Sequence, residues 1–419
     1  MKTLAVCFYG KQVGALTQDE LGKFSFQYEP AWLQNPQAQP LSQSLPLRSE
    51  AFEEKECAGF FGGLLPEDHN RELIARNLGI TAGNDFAMLK AIGGECAGAI
   101  ALLDPDADMP SRQQSYHPVS EDELVSILNT LPRKPLLAGE AEVRLSLAGA
   151  QNKLALYRDE KGFALPLHES PSTYILKPES NLFPGLVENE AACLRLARAV
   201  DLPGVEAEPM TIGPHRCLLV KRYDRHRDGG HLHRIHQEDF CQAMGISSRY
   251  KYQSEGGPSL VQCFELVRKA SARPAKDLIT LFEAVLFNYL IGNNDAHGKN
   301  FSLLYVPDGN AIRVELAPLY DVVCTAAYPE LSQKMAMKIG SKYLPADLRL
   351  RHWEAWWQSI GFSIPQARRQ TLQFMEKTDT ILLEAAATPV EQQICDIARE
   401  RREILSRTLA SAYGSLRRN

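Results

Sequence analysis

Residues 278–291 form an apolar run that ends directly in Gly292-Asn293-Asn294-Asp295-Ala296-His297-Gly298-Lys299-Asn300. A surface helix carries an apolar stripe, whereas a helix that is apolar nearly all round belongs in a core. The pattern therefore predicts a buried helix that delivers a polar, acid-bearing loop from the interior. Beyond that loop, 301–306 and 312–316 read as strands joined by the turn Pro307-Asp308-Gly309-Asn310, and Asp321 follows them.

The rest of the chain sets bounds on what this loop can serve. At 419 residues it suits two or three domains. A hydrophobic content of 44% and a charged content of 23% are ordinary for a folded globular protein. The net charge of -5 supplies no global attraction to phosphate backbones, which argues against a stand-alone DNA binder. Nine scattered cysteines, none spaced C-x-x-C, point to a reducing compartment rather than a disulfide framework or zinc ribbon. The first apolar run is broken at Gly10-Lys11-Gln12, unlike a signal peptide, and no apolar stretch reaches the roughly 20 residues of a membrane span. The expectation is a cytoplasmic protein with no membrane partner.

Three regions follow from the periodicities. Residues 1–130 read as a β-meander (4–8, 13–16, 24–28) followed by helices, one capped by Asp68-His69-Asn70 and one over 84–101; a linker at 105–118 precedes a helix capped at Ser120-Glu121-Asp122-Glu123. In 131–235, strands at 143–147 and 154–157 flank a tight turn at Gly149, forming a hairpin, before a strand at 174–177, a helix at 188–200 and a strand at 217–223. Residues 236–419 are mainly helical, starting at 238–244 and closing with 381–386 and 390–413. The fold class is α+β. The middle region has the element order of a kinase small lobe and the last that of its catalytic large lobe, giving a two-lobed, kinase-like expectation.

Phosphoryl transfer from ATP needs a carboxylate at the attacking hydroxyl, oxygen ligands for Mg²⁺, a cation on the phosphates and a loop that covers them. Asp295 and Asn300 have the Asp-to-Asn interval of the protein-kinase catalytic loop, so one loop presents base and metal ligand together. Asp321, beyond the hairpin, stands where kinases carry a second metal-binding acid, although Leu319-Tyr320-Asp321-Val322 lacks the Phe-Gly of a D-F-G motif. Lys177, ending the strand at 174–177, matches the lysine that reaches the α- and β-phosphates, with Glu188 or Glu190 as its pair. The turn from Ser146 through Ala148, Gly149, Ala150, Gln151, Asn152 and Lys153 would offer backbone N–H groups to the phosphates, and the strand edge Lys221-Arg222-Tyr223 would receive adenine. Singly these residues mean little; Gly149 is an ordinary turn residue and Lys177 an ordinary strand lysine. Their order along the chain carries the reading.

At GNNDAHGKN, RLSLAGAQNKLAL and LYDVV the sequence resembles the HipA family of bacterial serine/threonine kinase toxins, over nearly the whole chain. The resemblance implies a phosphatidylinositol-kinase-like fold and ATP and Mg²⁺ as cofactors. It makes Asp295 the catalytic aspartate, Asn300 and Asp321 the Mg²⁺ ligands and Lys177 the phosphate-binding lysine. It also places His297, Gly298 and Lys299, with Tyr320 beside Asp321, among the ATP-binding residues. Ser146 becomes an autophosphorylation site whose modification ejects the phosphate loop; about two added negative charges there would repel the ATP phosphates. The simpler reading of Ser146 is a polar residue on an exposed strand face. The implied partners are a HipB-like helix-turn-helix antitoxin dimer, operator DNA held mainly through it, and a protein substrate such as an aminoacyl-tRNA synthetase.

Other signals carry less. His226, His231, His233 and His236 lie near Asp224 and Asp228, but Arg225, Arg227 and Arg234 would repel a cation and Gly229-Gly230 reads as a hairpin turn. Arg399, Arg401 and Arg402, and Arg417-Arg418, read as solvated helix faces, and Trp353, Trp356 and Trp357 as core. A second functional class fits the same residues: a nucleotide-binding co-repressor acting with an antitoxin on operator DNA without phosphoryl transfer. A small-molecule or lipid kinase is a third.

Overall fold

The computed structural model describes residues 1–106, 114–139, 144–149, 151–309, 311–382 and 388–416. They form a mixed α/β protein of two units, one of Met1–Pro178, Ala207–Arg249 and Leu303–Arg313, the other of Glu179–Glu206, Tyr250–Ser302 and Val314–Asn419. No helix among the described residues is long and apolar enough to cross a membrane.

The first unit contains a four-stranded antiparallel sheet in the order Phe24–Tyr28, Lys11–Gln18, Lys2–Phe8, Ile100–Leu103. The predicted meander is therefore present, with a fourth strand added. That strand corrects the helix expected over 84–101: the helix covers only Asp85–Ile92, because Gly93 and Gly94 follow and Ile100–Leu103 pairs with Ala5 to Phe8. The helix Asp68–Leu78 takes Glu67 as its N-cap, one residue before the expected cap. The helix Glu121–Thr130 starts as expected, with reciprocal Ser120 and Glu123 capping bonds.

A six-stranded antiparallel sheet runs Tyr116–Pro118, Gly162–Pro166, Leu154–Asp159, Tyr174–Pro178, His215–Lys221, Ala207–Ile212. Here the hairpin expected between 143–147 and 154–157 is not formed. Leu154–Asp159 instead pairs with Gly162–Pro166 across a tight turn and with Tyr174–Pro178, while Leu145 makes a single bridge to Glu95. Val143 lies outside the described residues. One continuous apolar core, from Leu4 and Phe26 through Phe60 and Leu89 to Leu154 and Leu219, underlies both sheets.

The second unit is built on the helix Pro274–Ile291, whose buried side chains include Leu281, Phe282, Leu286 and Leu290. Proline at its start and Gly292 at its end, with φ 79°, fix its length. Phe282 stacks on Trp356 at 5.2 Å between ring centroids and on Phe362 at 5.1 Å, and Trp353 meets Tyr289 edge-on at 5.0 Å. The tryptophans of Leu350–Ser359 are thus core, as their spacing predicts. Ile364–Leu382 and Pro389–Leu416 complete the helical part. Most of the helix expected at 381–386 lies outside the described residues.

In the first unit, burial perturbs two titratable side chains in opposite directions. Glu238 accepts from Ser42, Tyr305 and the Gln43 N–H, and burial, with Asp239 nearby, raises its carboxyl to about 7. His236 has Nε2 at 2.9 Å from the Leu41 carbonyl, and burial lowers its imidazole to about 4. The native state keeps His236 neutral while the unfolded chain protonates it, so its contribution to stability rises with pH from about 4 to 6.5. Glu238 stays protonated in the native state after the unfolded chain has ionised, so its contribution falls from about pH 4.5 to 7. Urea unfolding across pH 4–8 should find the advantage of wild type over His236→Gln growing by ~2–3 kcal/mol and that over Glu238→Gln shrinking by a similar amount. Parallel pH profiles for all three proteins would contradict this assignment.

Candidate functional site

In the first unit, the segment after Arg144 is held by backbone and side-chain bonds rather than by a sheet. Ser146 N–H donates to the Glu95 carbonyl at 2.8 Å, Ser146 Oγ donates to the Leu64 carbonyl at 2.6 Å, and Glu67 N–H reaches the Gly149 carbonyl. Ser146 is fully buried, which corrects the exposed-strand reading. Gly149 adopts φ 103°, and a Cβ there would stand 2.7 Å from Lys153 Nζ. Lys153 is buried and donates to the Ala148 carbonyl, so this turn closes round its own ammonium. Gln151 and Asn152 are half-buried, and Ala150 lies outside the described residues.

Lys177 lies in the sheet opposite Leu218 and is buried. Lys221 ends the neighbouring strand and is exposed. The Arg222 side chain turns inward: it donates to both carboxylate oxygens of Asp224, at 3.0 and 2.8 Å, and to Ser172 Oγ at 3.1 Å. Only its backbone remains for a ligand. Arg225 joins Asp224 and Glu95 at 2.9 and 2.6 Å, and Glu95 also accepts from Ser172. Burial opposes ionisation of Asp224, but the two guanidinium groups win and hold its carboxyl far below the usual range. Tyr223 donates to Gln237, which in turn reaches Asp224. Nothing local in the sequence signals this buried ion cluster, because Glu95 and Ser172 lie far along the chain from Arg222, Asp224 and Arg225. Arg234 donates to the carbonyls of Ile100 and Glu169. Three of the four histidines share the exposed hairpin of Arg225–Asp228 and His231–Arg234, where His226 lies opposite His233 and the His231 ring is 6.5 Å from that of His233, whereas His236 is buried apart from them.

In the second unit, the loop after Gly292 is fixed at almost every residue. Asn293 bonds back to Asn288 through backbone and side chain, and its Oδ1 accepts from Asp295 N–H at 3.2 Å. Asn294 N–H donates to Thr325 Oγ1 at 2.8 Å, and its carbonyl accepts from Ala336 N–H at 2.7 Å. The Asp295 side chain is 49% exposed; Tyr252 donates to its Oδ1 at 2.8 Å, and His297 Nε2 lies 3.9 Å from its Oδ2. Gly298–Asn300 is a single 3₁₀ turn, with His297 N–H donating to Asn300 Oδ1 at 3.1 Å. Lys299 is buried, and its carbonyl accepts from Tyr320 at 2.7 Å.

Asp321 adopts φ 51°, a left-handed conformation that Asp tolerates better than most residues. Its neighbours hold it there. Leu319 exchanges backbone bonds with Pro203 and Val205, and Cys324 N–H and C=O both bond the side chain of Asn189, at 2.8 and 3.1 Å. Asn189 is fully buried on the helix Leu186–Ala199, between Glu188 and Glu190; the sequence offered nothing to single it out. Arg401 and Arg402 depart from the expected solvated face. Arg402 pairs with Asp379, and Arg401 is buried, donating to the Tyr289 carbonyl at 2.7 Å and to Asn294 Oδ1 at 3.1 Å. Burial pushes the Arg401 guanidinium below its usual value. Arg417 and Arg418 lie outside the described residues.

Two family models match the chain: the HipA N-terminal domain over residues 4–103 and the HipA-like C-terminal domain over 145–385. Relatives named as kinases are among the similar proteins. The "Putative kinase Y4mE" of Sinorhizobium fredii is 46% identical over 90% of each chain. The serine/threonine-protein kinase toxin HipA of Shewanella oneidensis is 31% identical over 83% of this chain and 81% of its own. A solved Shewanella oneidensis complex of HipA, HipB and operator DNA contains a chain similar over 97% of this one and 98% of that one, with a TM-score of 0.82 and 26% identity. The chain belongs to the HipA family.

Asn189→Ala should lower the unfolding free energy by about 1–3 kcal/mol, because it leaves the buried N–H of Cys324 without its partner and the Cys324 carbonyl with only the Ala327 N–H. Urea titration of the full chain measures this. A loss under ~0.5 kcal/mol would mean that Asn189 does not hold the Asp321 segment.

Proposed function

We propose that this chain is a Mg·ATP-dependent serine/threonine protein kinase toxin, with a two-lobed kinase-like fold divided near 130 and 235. The observation that carries the reading is the Asp295 loop: an accessible carboxylate on a backbone fixed from both sides, five residues before an amide that remains available to a metal. Asn300 Oδ1 accepts one hydrogen bond, from His297, and an amide oxygen has a second lone pair. With the Asp321 carboxylate it makes the hard oxygen donor set that Mg²⁺ prefers. Gly149, whose φ of 103° strains any side chain, fits a turn that presents backbone N–H groups to a phosphate.

In this reading Mg·ATP supplies the phosphoryl group and the divalent charge. Asp295 orients the acceptor hydroxyl and takes its proton, a role that needs its carboxylate within hydrogen-bond reach of that hydroxyl. Asn300 and Asp321 hold the metal. Lys177 and the backbone of Ala148, Gly149, Ala150, Gln151, Asn152 and Lys153 bear on the phosphates. The backbone of Lys221, Arg222 and Tyr223 meets adenine, and His297, Gly298, Lys299 and Tyr320 shape the loop. Ser146 is the autophosphorylation site, and phosphorylation there silences the enzyme. Because Ser146 is buried and hydrogen-bonded, its modification requires the 145–149 segment to leave Leu64 and Glu95. The partners are a HipB-like antitoxin dimer, operator DNA through that dimer, and a cytoplasmic protein substrate of the aminoacyl-tRNA synthetase class. The HipA–HipB–operator complex of the Shewanella relative supports the first two.

Incubation with γ-labelled ATP and Mg²⁺ should label the wild-type chain at Ser146. Asp295→Ala should reduce labelling at least about 100-fold, and Ser146→Ala should lose the label while still phosphorylating other proteins. Wild-type labelling by Asp295→Ala would overturn the assignment. A chain that transfers no phosphate yet tightens operator binding by its antitoxin would instead be the co-repressor.

A further inference from the structure

Arg401 is a buried cation whose partners are all uncharged. It is 8% exposed; among the described residues no carboxylate hydrogen-bonds to it, and Glu400 acts on it only through space. Its guanidinium is compensated by the Tyr289 carbonyl, by Asn294 Oδ1 and by the Tyr289 ring, whose centroid lies 5.5 Å from Cζ. Taking an arginine out of water is costly unless its donors find good acceptors, and well-packed apolar residues commonly stabilise such a position better. A geometric role accounts for a charge kept there.

The acceptors identify that geometry. The Tyr289 carbonyl lies in the last turn of Pro274–Ile291, where the helix dipole favours a cation. Asn294 immediately precedes Asp295. Thr325 and Ala336 restrain the Asn294 backbone from one stretch of chain, and Arg401 restrains its side chain from the C-terminal helix Pro389–Leu416. The bond to Arg401 is the charge-assisted one of the three. We propose that Arg401 is a positioning residue for Asp295, acting through Asn294, which makes the C-terminal helix part of the catalytic apparatus. This rests on the kinase reading of Asp295.

The test uses the full chain carrying Arg401→Ala, Asn294→Ala or both. Misplacing a reacting group by about 1 Å costs on the order of 100-fold in rate. Arg401→Ala should lower kcat for phosphoryl transfer by about 10- to 100-fold with the KM for ATP within about twofold, and added methylguanidinium should restore part of the loss. The double variant should be no slower than the slower single one, because both act through one bond. An unchanged kcat, a KM that moves with kcat without rescue, or additive losses would each overturn the proposal. Hydrogen exchange over 289–296 gives a readout independent of activity: Arg401→Ala should speed exchange there, and unchanged exchange would overturn the proposal even if wild type transfers no phosphate. Absence of transfer by wild type, with exchange responding as expected, would defeat the kinase reading alone. If Arg401→Ala fails to fold, Arg401→Lys replaces it, with a smaller kcat loss expected and wild-type kcat and exchange overturning the proposal.

Discussion

The second unit depends on how one buried helix end is satisfied. The last four carbonyls of any helix lack partners within it, and those of Pro274–Ile291 lie where water does not reach. Gly292 turns the chain back in the left-handed conformation, and its N–H returns to Tyr289. A side chain there would meet Ala326 at 2.8 Å and Ile397 at 3.0 Å, so the close approach as well as the positive φ requires glycine. The Gly292 carbonyl accepts from Ala326 and Thr325, Asn293 returns to Asn288, and Arg401 takes the Tyr289 carbonyl. Satisfying that helix end therefore recruits residues from 325 to 401 and fixes the loop that starts there.

Buried charge plays the corresponding part in the first unit. Glu95 and Asp224 face Arg222 and Arg225, two carboxylates against two guanidinium groups, with the Ser172 N–H and hydroxyl both donating to Glu95 Oε1 and Glu95 Oε2 left without a hydrogen bond. Such a cluster adds little net stability, because desolvation offsets most of the attraction, but removing one member strands the others. It specifies geometry. Glu95 accepts from Ser146 N–H through its carbonyl while its carboxylate holds Arg225 and Ser172, so the 145–149 segment and the 221–225 strand end share one anchor.

Much of this was legible in the sequence where the signal is local. The apolar run at 278–291, the hairpin after it, the Trp353, Trp356 and Trp357 spacing and the Ser120 capping box all appear as expected, because each follows from periodicity or a nearby hydrogen bond. The failures have a common cause. Leu145 and Ser146 alternate like a strand but pair with Glu95, and Ile100–Leu103 is apolar enough for a helix but fills an open sheet edge. In both cases a partner far away in sequence decided the structure. Arg401 departs from the solvated face for the same reason. A run of arginines on a helix reads as solvated, and only the fold reveals that one of them faces the end of another helix.

The burial of Ser146 sharpens what an off-switch at that residue would involve. Its two hydrogen bonds and the Glu67–Gly149 contact must all break before the hydroxyl becomes available. The three bonds contribute about 1 kcal/mol net each, and Leu145 and Leu147 leave the apolar core with the segment at roughly 1.5–3 kcal/mol apiece, so the open segment is populated far below the one-per-cent level. The backbone of the segment is joined to its surroundings by isolated bridges at Leu145 and Gly149 rather than by a ladder, so what holds it is chiefly the packing of Leu145 and Leu147 in the core. A phosphate added in the open form could not return to a pocket bounded by the Leu64 carbonyl, because placing some two negative charges against a carbonyl oxygen is repulsive. The same contacts that keep Ser146 hidden would then keep the modified segment out.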